Sequence, residues 1–140
     1  MKLSAALTLL VLICCGIIAS CTSDAELEFK RYYLAGERLY KSHCQNCHGA
    51  KGEGLGTLVP PLTDAAFLQK NKHRLACIVN LGLTDELLRV SGKTYVSKMP
   101  ANNLPPVDIA GILTYVNNSF GNKTGVVTSD DVAKDLEDCK

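Results

Sequence analysis

Cys44-Gln45-Asn46-Cys47-His48 is the most informative segment of this chain. Two thiols separated by two residues, with a histidine directly after the second thiol, are typical of a covalent attachment site for a c-type haem. Each thiol can add to one vinyl group of the haem, and a short helical turn presents both sulfurs to the same edge of the ring. The imidazole of His48 can then bind the iron as an axial ligand. The motif therefore predicts one covalently bound haem c.

Two other kinds of site use the same pair of cysteines. A Cys-x-x-Cys pair forms half of many structural zinc sites, but no second ligand pair stands at a suitable spacing in this chain. In a thioredoxin-like redox site the pair follows a strand, whereas the segment before Cys44 has helical periodicity. Haem attachment is accordingly the preferred interpretation of Cys44 and Cys47, with zinc or thiol chemistry as the alternative.

Residues 1–20 have the composition of a targeting segment, which we interpret as a lipoprotein signal peptide. Lys2 supplies a positive charge, and residues 3–18 are almost wholly apolar. The sequence Ala19-Ser20-Cys21 looks like a bacterial lipobox, so cleavage would leave Cys21 as an acylated first residue. This predicts a protein anchored by lipid to a membrane, on the periplasmic side of the bacterial cell envelope. An uncleaved N-terminal helix and a plain signal peptide are the alternatives.

Composition and charge set outer limits on the function. The chain has 140 residues and seven cysteines, a number that in so small a protein indicates export to an oxidising compartment. Its formal net charge is +1, so nothing global indicates binding of nucleic acid.

Hydrophobic periodicity predicts a helical domain at residues 27–140, after a short tether at residues 21–26. In the first helix, Phe29, Tyr33, Gly36 and Tyr40 share one face, and a glycine inside a helix indicates close approach of another helix. Residues 83–98 carry conflicting signals and are expected to be mainly irregular, since residues 84–86 look like a helix start and residues 91–93 look like a turn. The predicted helices span residues 27–43, 65–69 after a Thr63-Asp64 cap, 72–81, 105–118 and 132–138.

Met99 is the only methionine besides the first residue of the chain. A lone methionine usually fills a gap in a core. Here it precedes Pro100 in a turn-like segment, and a thioether in that position can bind the second axial site of a haem iron. His43 and His73 are weaker candidates, because His43 lies off the iron axis and His73 is expected on the surface. The sequence therefore predicts His48 and Met99 as the axial ligands.

Together these residues resemble class I cytochromes c, in particular the small single-haem domains of bacteria. The resemblance covers nearly the whole chain after the signal peptide. It is carried by Gly36 and Tyr40 before the haem motif, by Pro60-Pro61-Leu62 after it, by the segment from Tyr95 to Pro100, and by residues 109–116.

The resemblance implies an all-α fold in which helices pack around one covalently bound haem. It implies that the N-terminal helix crosses the region of Tyr115 at Gly36, and that residues 83–98 do not form a regular helix. It also implies that the backbone carbonyl of Pro60 accepts a hydrogen bond from the His48 ring and so fixes the orientation of the imidazole.

Cys77 and Cys139 depart from the core pattern of the family. Cys14 and Cys15 would leave with the signal peptide, Cys21 would be lipidated, and the haem would occupy two more. The remaining pair could form a disulfide, which closes a loop of roughly sixty residues and stabilises the fold by ~4 kcal/mol in the chain-entropy estimate. Two free thiols are the alternative.

The function implied is electron transfer by a single-haem carrier that is not itself an enzyme. Its partners would be redox proteins such as a dehydrogenase, an oxidase or another cytochrome, and Lys51, Lys93 and Lys98 are candidate docking contacts because they flank the ligand-bearing loops. One alternative is the haem subunit of a periplasmic dehydrogenase. Another is a haem protein that binds a gas or peroxide, which needs an open or displaceable axial position.

Overall fold

A computed structural model describes residues 23–139. The predicted signal peptide and the predicted lipidation site Cys21 lie outside these residues. Six helices and one hairpin make up the described part of the chain. They are α1 (Asp24–His43), α2 (Gln45–His48), α3 (Ala65–Lys70), α4 (Leu75–Leu81), β1 (Leu83–Val90), β2 (Lys93–Met99), α5 (Pro106–Asn117) and α6 (Ser129–Glu137).

The first helix starts earlier than its periodicity indicated. The Ser23 hydroxyl caps α1 by accepting a hydrogen bond from the Glu26 backbone N–H at 3.2 Å. Asp24 and Glu26 also place negative charge at the positive end of the helix dipole, which stabilises this first turn. Asp24–Glu26 are therefore helical, which corrects their assignment to the tether.

Helices α1 and α5 cross where two glycines meet, as the resemblance implied. Gly36 is buried, and a Cβ atom at this position would collide with the backbone carbonyl of Gly111 and lie 2.9 Å from Tyr115 Cβ. Around the crossing, the rings of Tyr40 and Tyr115 lie 5.3 Å apart and the Phe120 ring meets Tyr115 edge-on at 5.6 Å. The backbones of the two helices can approach this closely only because Gly36 has no side chain.

Residues 83–99 form an antiparallel hairpin, so the expectation of a mainly irregular segment was wrong. Ser91 and Gly92 form its turn with φ values of 50° and 76°, a pair of positive angles that suits a two-residue hairpin loop. Leu88, Val90 and Tyr95 are buried on its inner face. The absence of a regular helix here is confirmed, and the hairpin corrects the expectation of an all-α fold.

The C-terminal segment begins at a helix cap, and a disulfide joins its end to the rest of the domain. The Thr128 and Asp131 side chains form a capping box, which starts α6 at Ser129 and not at residue 132 as expected. A disulfide joins Cys77 in α4 to Cys139 after α6, with their Cα atoms 5.6 Å apart.

Helix α4 is shorter than predicted, since residues 71–74 form a turn before Leu75. Within residues 23–139, no helix has the length and apolar character that a membrane crossing requires.

Candidate haem site

An apolar cleft lies between the C-terminal end of α1, helices α4 and α5, and the inner face of the hairpin. The space between its walls, including the part open to solvent, is about 950 Å³. Concave sites with mainly apolar walls and a few polar groups are typical of cofactor binding, and this cleft has that character. Its apolar walls include Phe67, Leu68, Leu75, Leu88, Ile112 and Leu113.

The four side chains predicted to hold the haem all line this cleft: Cys44, Cys47, His48 and Met99. The two weaker ligand candidates lie elsewhere. His43 is exposed and is not part of the cleft wall. His73 is exposed and pairs with Asp135 in α6, its Nδ1 3.0 Å from the carboxylate. The structure therefore brings together the proposed ligand pair and leaves both alternatives outside.

His48 is held by a short helix and by one hydrogen bond to the loop that follows. Helix α2 begins directly after α1, and the His48 backbone N–H donates to the Cys44 carbonyl at 2.9 Å. The imidazole Nδ1 lies 3.2 Å from the Pro60 carbonyl oxygen. Because a carbonyl can only accept, Nδ1 carries the proton, and Nε2 is left with a lone pair for a metal.

Burial lowers the pKa of His48, and the hydrogen bond to Pro60 opposes this effect. A neutral imidazole is the form that binds iron, so burial and the fixed tautomer act in the same direction.

The loop after His48 folds back to bring Pro60 to the imidazole. The Gly54 N–H donates to the His48 carbonyl at 2.8 Å, and the Leu62 N–H donates to the Gly52 carbonyl at 2.7 Å. Gly54 has φ +71°, and a Cβ atom there would collide with the carbonyl of Val59. This glycine allows the loop to pack against the segment that carries Pro60.

Tyr40 connects α1 to the same loop. Its side chain is 1% exposed, and its hydroxyl donates to the Gly49 carbonyl at 2.7 Å. Burial raises the pKa of Tyr40 well above its ordinary value, so the hydroxyl keeps its proton and stays a donor.

The two attachment cysteines have different environments in the polypeptide. Cys44 is buried and Cys47 is exposed. Burial, with a smaller contribution from Cys47, raises the pKa of the Cys44 thiol to about 11. Cys44 is therefore a neutral thiol at physiological pH, and alkylating reagents should modify Cys47 first in the haem-free chain.

Met99 ends strand β2 and is held against the end of α4 by backbone contacts. Gly82 ends α4 with φ +75°, and a Cβ atom there would collide with the Met99 carbonyl oxygen. The Asn102 side chain donates to the Val79 carbonyl at 3.0 Å, and its backbone N–H donates to the Asn80 carbonyl at 3.2 Å. These contacts fix the backbone at Met99 and in the segment that follows it.

Sequence reasoning missed the supporting roles of Gly82 and Asn102. The sequence identified Gly82 as a helix end, but its contact with Met99 depends on how the hairpin returns the chain. Asn102 gave no local signal, since an asparagine between a proline and a leucine-proline pair is ordinary loop composition.

The donor set and the walls of the cleft fit a covalently bound haem. Two thiols, one imidazole and one thioether are the groups that attach and ligate haem c, and the apolar walls suit its ring. Zinc fits less well, because the side chains that the structure describes include no group of three or more His, Cys, Asp or Glu arranged to hold a metal ion.

Comparison with known proteins gives one positive finding. No curated protein sequence matches the chain. The family model described as "Cytochrome C oxidase, cbb3-type, subunit III" matches residues 33–116, which is more than half of the chain and includes the haem motif, Pro60 and Met99. The chain therefore belongs to this family of c-type cytochrome domains, and it carries covalently bound haem c.

Proposed function

We propose that this cytochrome carries single electrons between respiratory or dehydrogenase partners at the bacterial cell envelope, with His48 and Met99 as the axial ligands of its haem. One observation supports this most directly: both side chains line the cleft that also contains Cys44 and Cys47. The haem supplies the redox chemistry, and the chain supplies ligands, an apolar environment and a surface for partners.

Ligation from both sides favours electron transfer over catalysis. Two axial ligands from the chain leave no iron position for a substrate. A thioether favours reduced iron, and apolar walls such as Ile112 and Leu113 disfavour the additional charge of oxidised iron. We therefore expect a relatively high reduction potential and little rearrangement when an electron moves.

The envelope location is proposed from residues 1–21 and is compatible with the disulfide. A signal peptide followed by an acylated Cys21 would export and anchor the domain. The Cys77–Cys139 disulfide is a bond that persists in oxidising compartments.

Docking is proposed around the segments that carry the ligands, at Lys51, Lys93 and Lys98, of which Lys98 lines the cleft. All three residues are exposed. The test is electron transfer from the reduced holoprotein to membranes of the producing bacterium, comparing Lys51→Glu/Lys93→Glu with the control Lys70→Glu/Lys123→Glu. Only the first variant should slow transfer at low salt, and high salt should remove the difference. Equal rates for both variants at low salt would contradict this docking site.

A stable subunit is the second candidate, favoured by the description of the family model as subunit III of a cbb3-type cytochrome c oxidase. A subunit of a dehydrogenase complex is the related alternative. Mild detergent extraction followed by affinity purification of the tagged holoprotein separates these cases. A shuttle should purify alone, whereas a subunit should bring defined partners in fixed ratio.

A further inference from the structure

The outward face of α1, opposite its contact with α5, carries a regular alternation of apolar and basic side chains. Leu27 is 43% exposed and Leu34 is 54% exposed. Arg31 and Arg38 are exposed on the same face, because positions 27, 31, 34 and 38 recur at the spacing of helical turns. We call these four residues the outer stripe.

The outer stripe has a net positive charge. None of the described carboxylates, a set that leaves out the side chains at positions 85 and 86, forms a salt bridge with Arg31 or Arg38. Lys30 and Lys41 flank the stripe and are neutralised by Glu26 and Glu37, each at 2.7 Å. Asp24 and Glu28, the other acidic residues of α1, fall at the edges of the stripe in the helical projection.

The stripe starts close to the predicted lipid anchor. Helix α1 begins at Asp24, so only Thr22 and Ser23 separate it from Cys21. Three residue steps span at most about 10 Å when fully extended. An anchor at Cys21 therefore holds the start of α1 at the membrane surface.

We propose that the outer stripe lies on the anionic surface of the anchoring membrane, with Leu27 and Leu34 at the headgroup boundary and Arg31 and Arg38 on lipid phosphates. The proposal rests on the lipid anchor of the proposed function. Exposed leucines alternating with arginines at helical spacing match interfacial helices, which bind through apolar area and attraction to anionic lipids. Such a short stripe binds weakly alone, but the anchor makes its contact with the membrane intramolecular.

The proposal fixes the orientation of the domain. Helix α1 has 20 residues and is about 30 Å long, and its C-terminal end leads directly to Cys44. With the stripe on the membrane, α1 lies along the surface and the haem cleft stays close to it. If α1 stood upright on its anchor, the cleft would lie a helix length away from the surface. This orientation suits electron exchange with partners embedded in the same membrane.

The test uses the haem-loaded mature protein with Cys21→Ser, exported behind a signal peptide whose cleavage does not need this cysteine, so that both the lipid and residues 1–20 are removed and the stripe remains. Co-sedimentation is measured with vesicles of phosphatidylglycerol and phosphatidylethanolamine, and with vesicles of phosphatidylcholine. We expect binding to the anionic vesicles only. Arg31→Gln/Arg38→Gln should weaken it by about 25-fold, since each basic side chain at an anionic surface contributes about a fivefold factor.

Lys70→Gln/Lys123→Gln is the matched control, which removes the same charge elsewhere and should leave binding unchanged. Leu27→Ser/Leu34→Ser tests the apolar part of the stripe and should also weaken binding, while the haem spectrum reports that each variant is folded. Equal binding to both kinds of vesicle, or equal losses in the arginine and control variants, would overturn the proposal. Absence of binding to the anionic vesicles would also overturn it.

The intact mass of the mature wild-type protein tests the anchor separately. A mass without acyl chains together with charge-dependent vesicle binding would refute the anchor and retain the stripe. A mass with acyl chains and no vesicle binding by the Cys21→Ser protein would refute the stripe and retain the anchor.

Discussion

The two walls of the cleft each supply one proposed iron ligand, but the chain builds them differently. The His48 wall, residues 44–62, is one continuous segment in which neighbouring backbone groups and the Pro60 carbonyl hold the imidazole. The Met99 wall, residues 75–102, combines helix α4, the hairpin and the loop that follows. Its thioether is positioned by contacts between residues well separated in sequence, including Gly82 with Met99.

The comparison indicates that the two ligands differ in how easily a perturbation separates them from the iron. Covalent attachment at Cys44 and Cys47 would hold a haem next to His48 whatever happens to the rest of the fold. Met99 depends on the packing of a hairpin whose inner residues Leu88 and Tyr95 must stay buried. Perturbations should therefore release the methionine before the histidine.

Removing each ligand in turn should give the largest effects, and the two variants should differ from each other. His48→Ala should lose the low-spin spectrum and most of the stable holoprotein, because the imidazole belongs to the attachment motif. Met99→Ala should keep covalent haem but acquire carbon monoxide binding, which wild-type protein should lack. Optical spectra of the reduced proteins, recorded with and without carbon monoxide, report the spin state and the binding of the gas. Identical spectra for the two variants would contradict the distinction.

Removing the disulfide should destabilise the fold through α4 and so affect the Met99 wall. Cys77 and Cys139 are 62 residues apart, for which the chain-entropy relation gives about 4 kcal/mol. Denaturant unfolding of Cys77→Ala/Cys139→Ala holoprotein should show a loss near this value, and carbon monoxide should bind more readily than in wild type. Unchanged stability would show that the bond constrains little of the unfolded chain.

Gly82 and Gly92 can be compared as two glycines with positive φ, +75° and +76°. Alanine at Gly92, in the hairpin turn, should cost about 1–2 kcal/mol in backbone strain, and alanine at Gly82 should cost at least as much, because its ψ of −166° belongs to a region that is essentially restricted to glycine. A Cβ atom at Gly82 would also meet the Met99 carbonyl, whereas none of the described atoms lies within 4 Å of one at Gly92. Gly82→Ala should therefore cost about 1–3 kcal/mol more than Gly92→Ala. Calorimetric unfolding measures the loss of stability in each variant, and equal losses would contradict the contact between Gly82 and the Met99 carbonyl.

Asp64 should give the smallest effect, because it is a half-buried surface residue whose side chain joins α3 to the hairpin turn. Its carboxylate caps α3 by accepting from the Phe67 N–H at 3.0 Å and also accepts from the Ser91 N–H at 2.8 Å. Asp64→Ala should cost about 1 kcal/mol at neutral pH, and Asp64→Asn less because asparagine also caps helices.

These hydrogen bonds, first that from Phe67, lower the pKa of Asp64 below its ordinary value of 3.8. A depressed pKa contributes stability that is present above the ordinary value and is lost as pH falls through the lower folded-state value. The stability difference between wild type and Asp64→Ala should therefore shrink below about pH 4. A difference that grows on acidification would contradict this sign.

Local sequence signals were sufficient for the haem motif and for a close helix contact at Gly36, and family resemblance indicated that the contact is with the region of Tyr115 in α5. The spacing of Cys44, Cys47 and His48 belongs to one helical turn, and a mid-helix glycine such as Gly36 costs stability unless a close contact requires it. Family resemblance added the partner of His48, since no pattern in the sequence alone selects the Pro60 carbonyl.

The hairpin was missed because its two strands give weak individual signals. Residues 85–88, Asp-Glu-Leu-Leu, favour a helix start, and an irregularity between Leu83 and Glu86 interrupts the alternation expected of a strand. The turn at Ser91-Gly92 was recognised, but pairing of its flanks depends on burying Tyr95 and Val90 against the rest of the fold. Tertiary packing, and not local sequence preference, therefore determines that this segment forms a hairpin.

The most direct test of the account is an optical spectrum of the mature wild-type protein, produced with the c-type haem maturation machinery. Spectra are recorded oxidised, reduced, and reduced under carbon monoxide. The account predicts covalent low-spin haem whose reduced spectrum is unchanged by the gas, because His48 and Met99 hold both axial positions. A clear spectral shift with carbon monoxide would contradict it, and would instead support a role in binding a gas or peroxide.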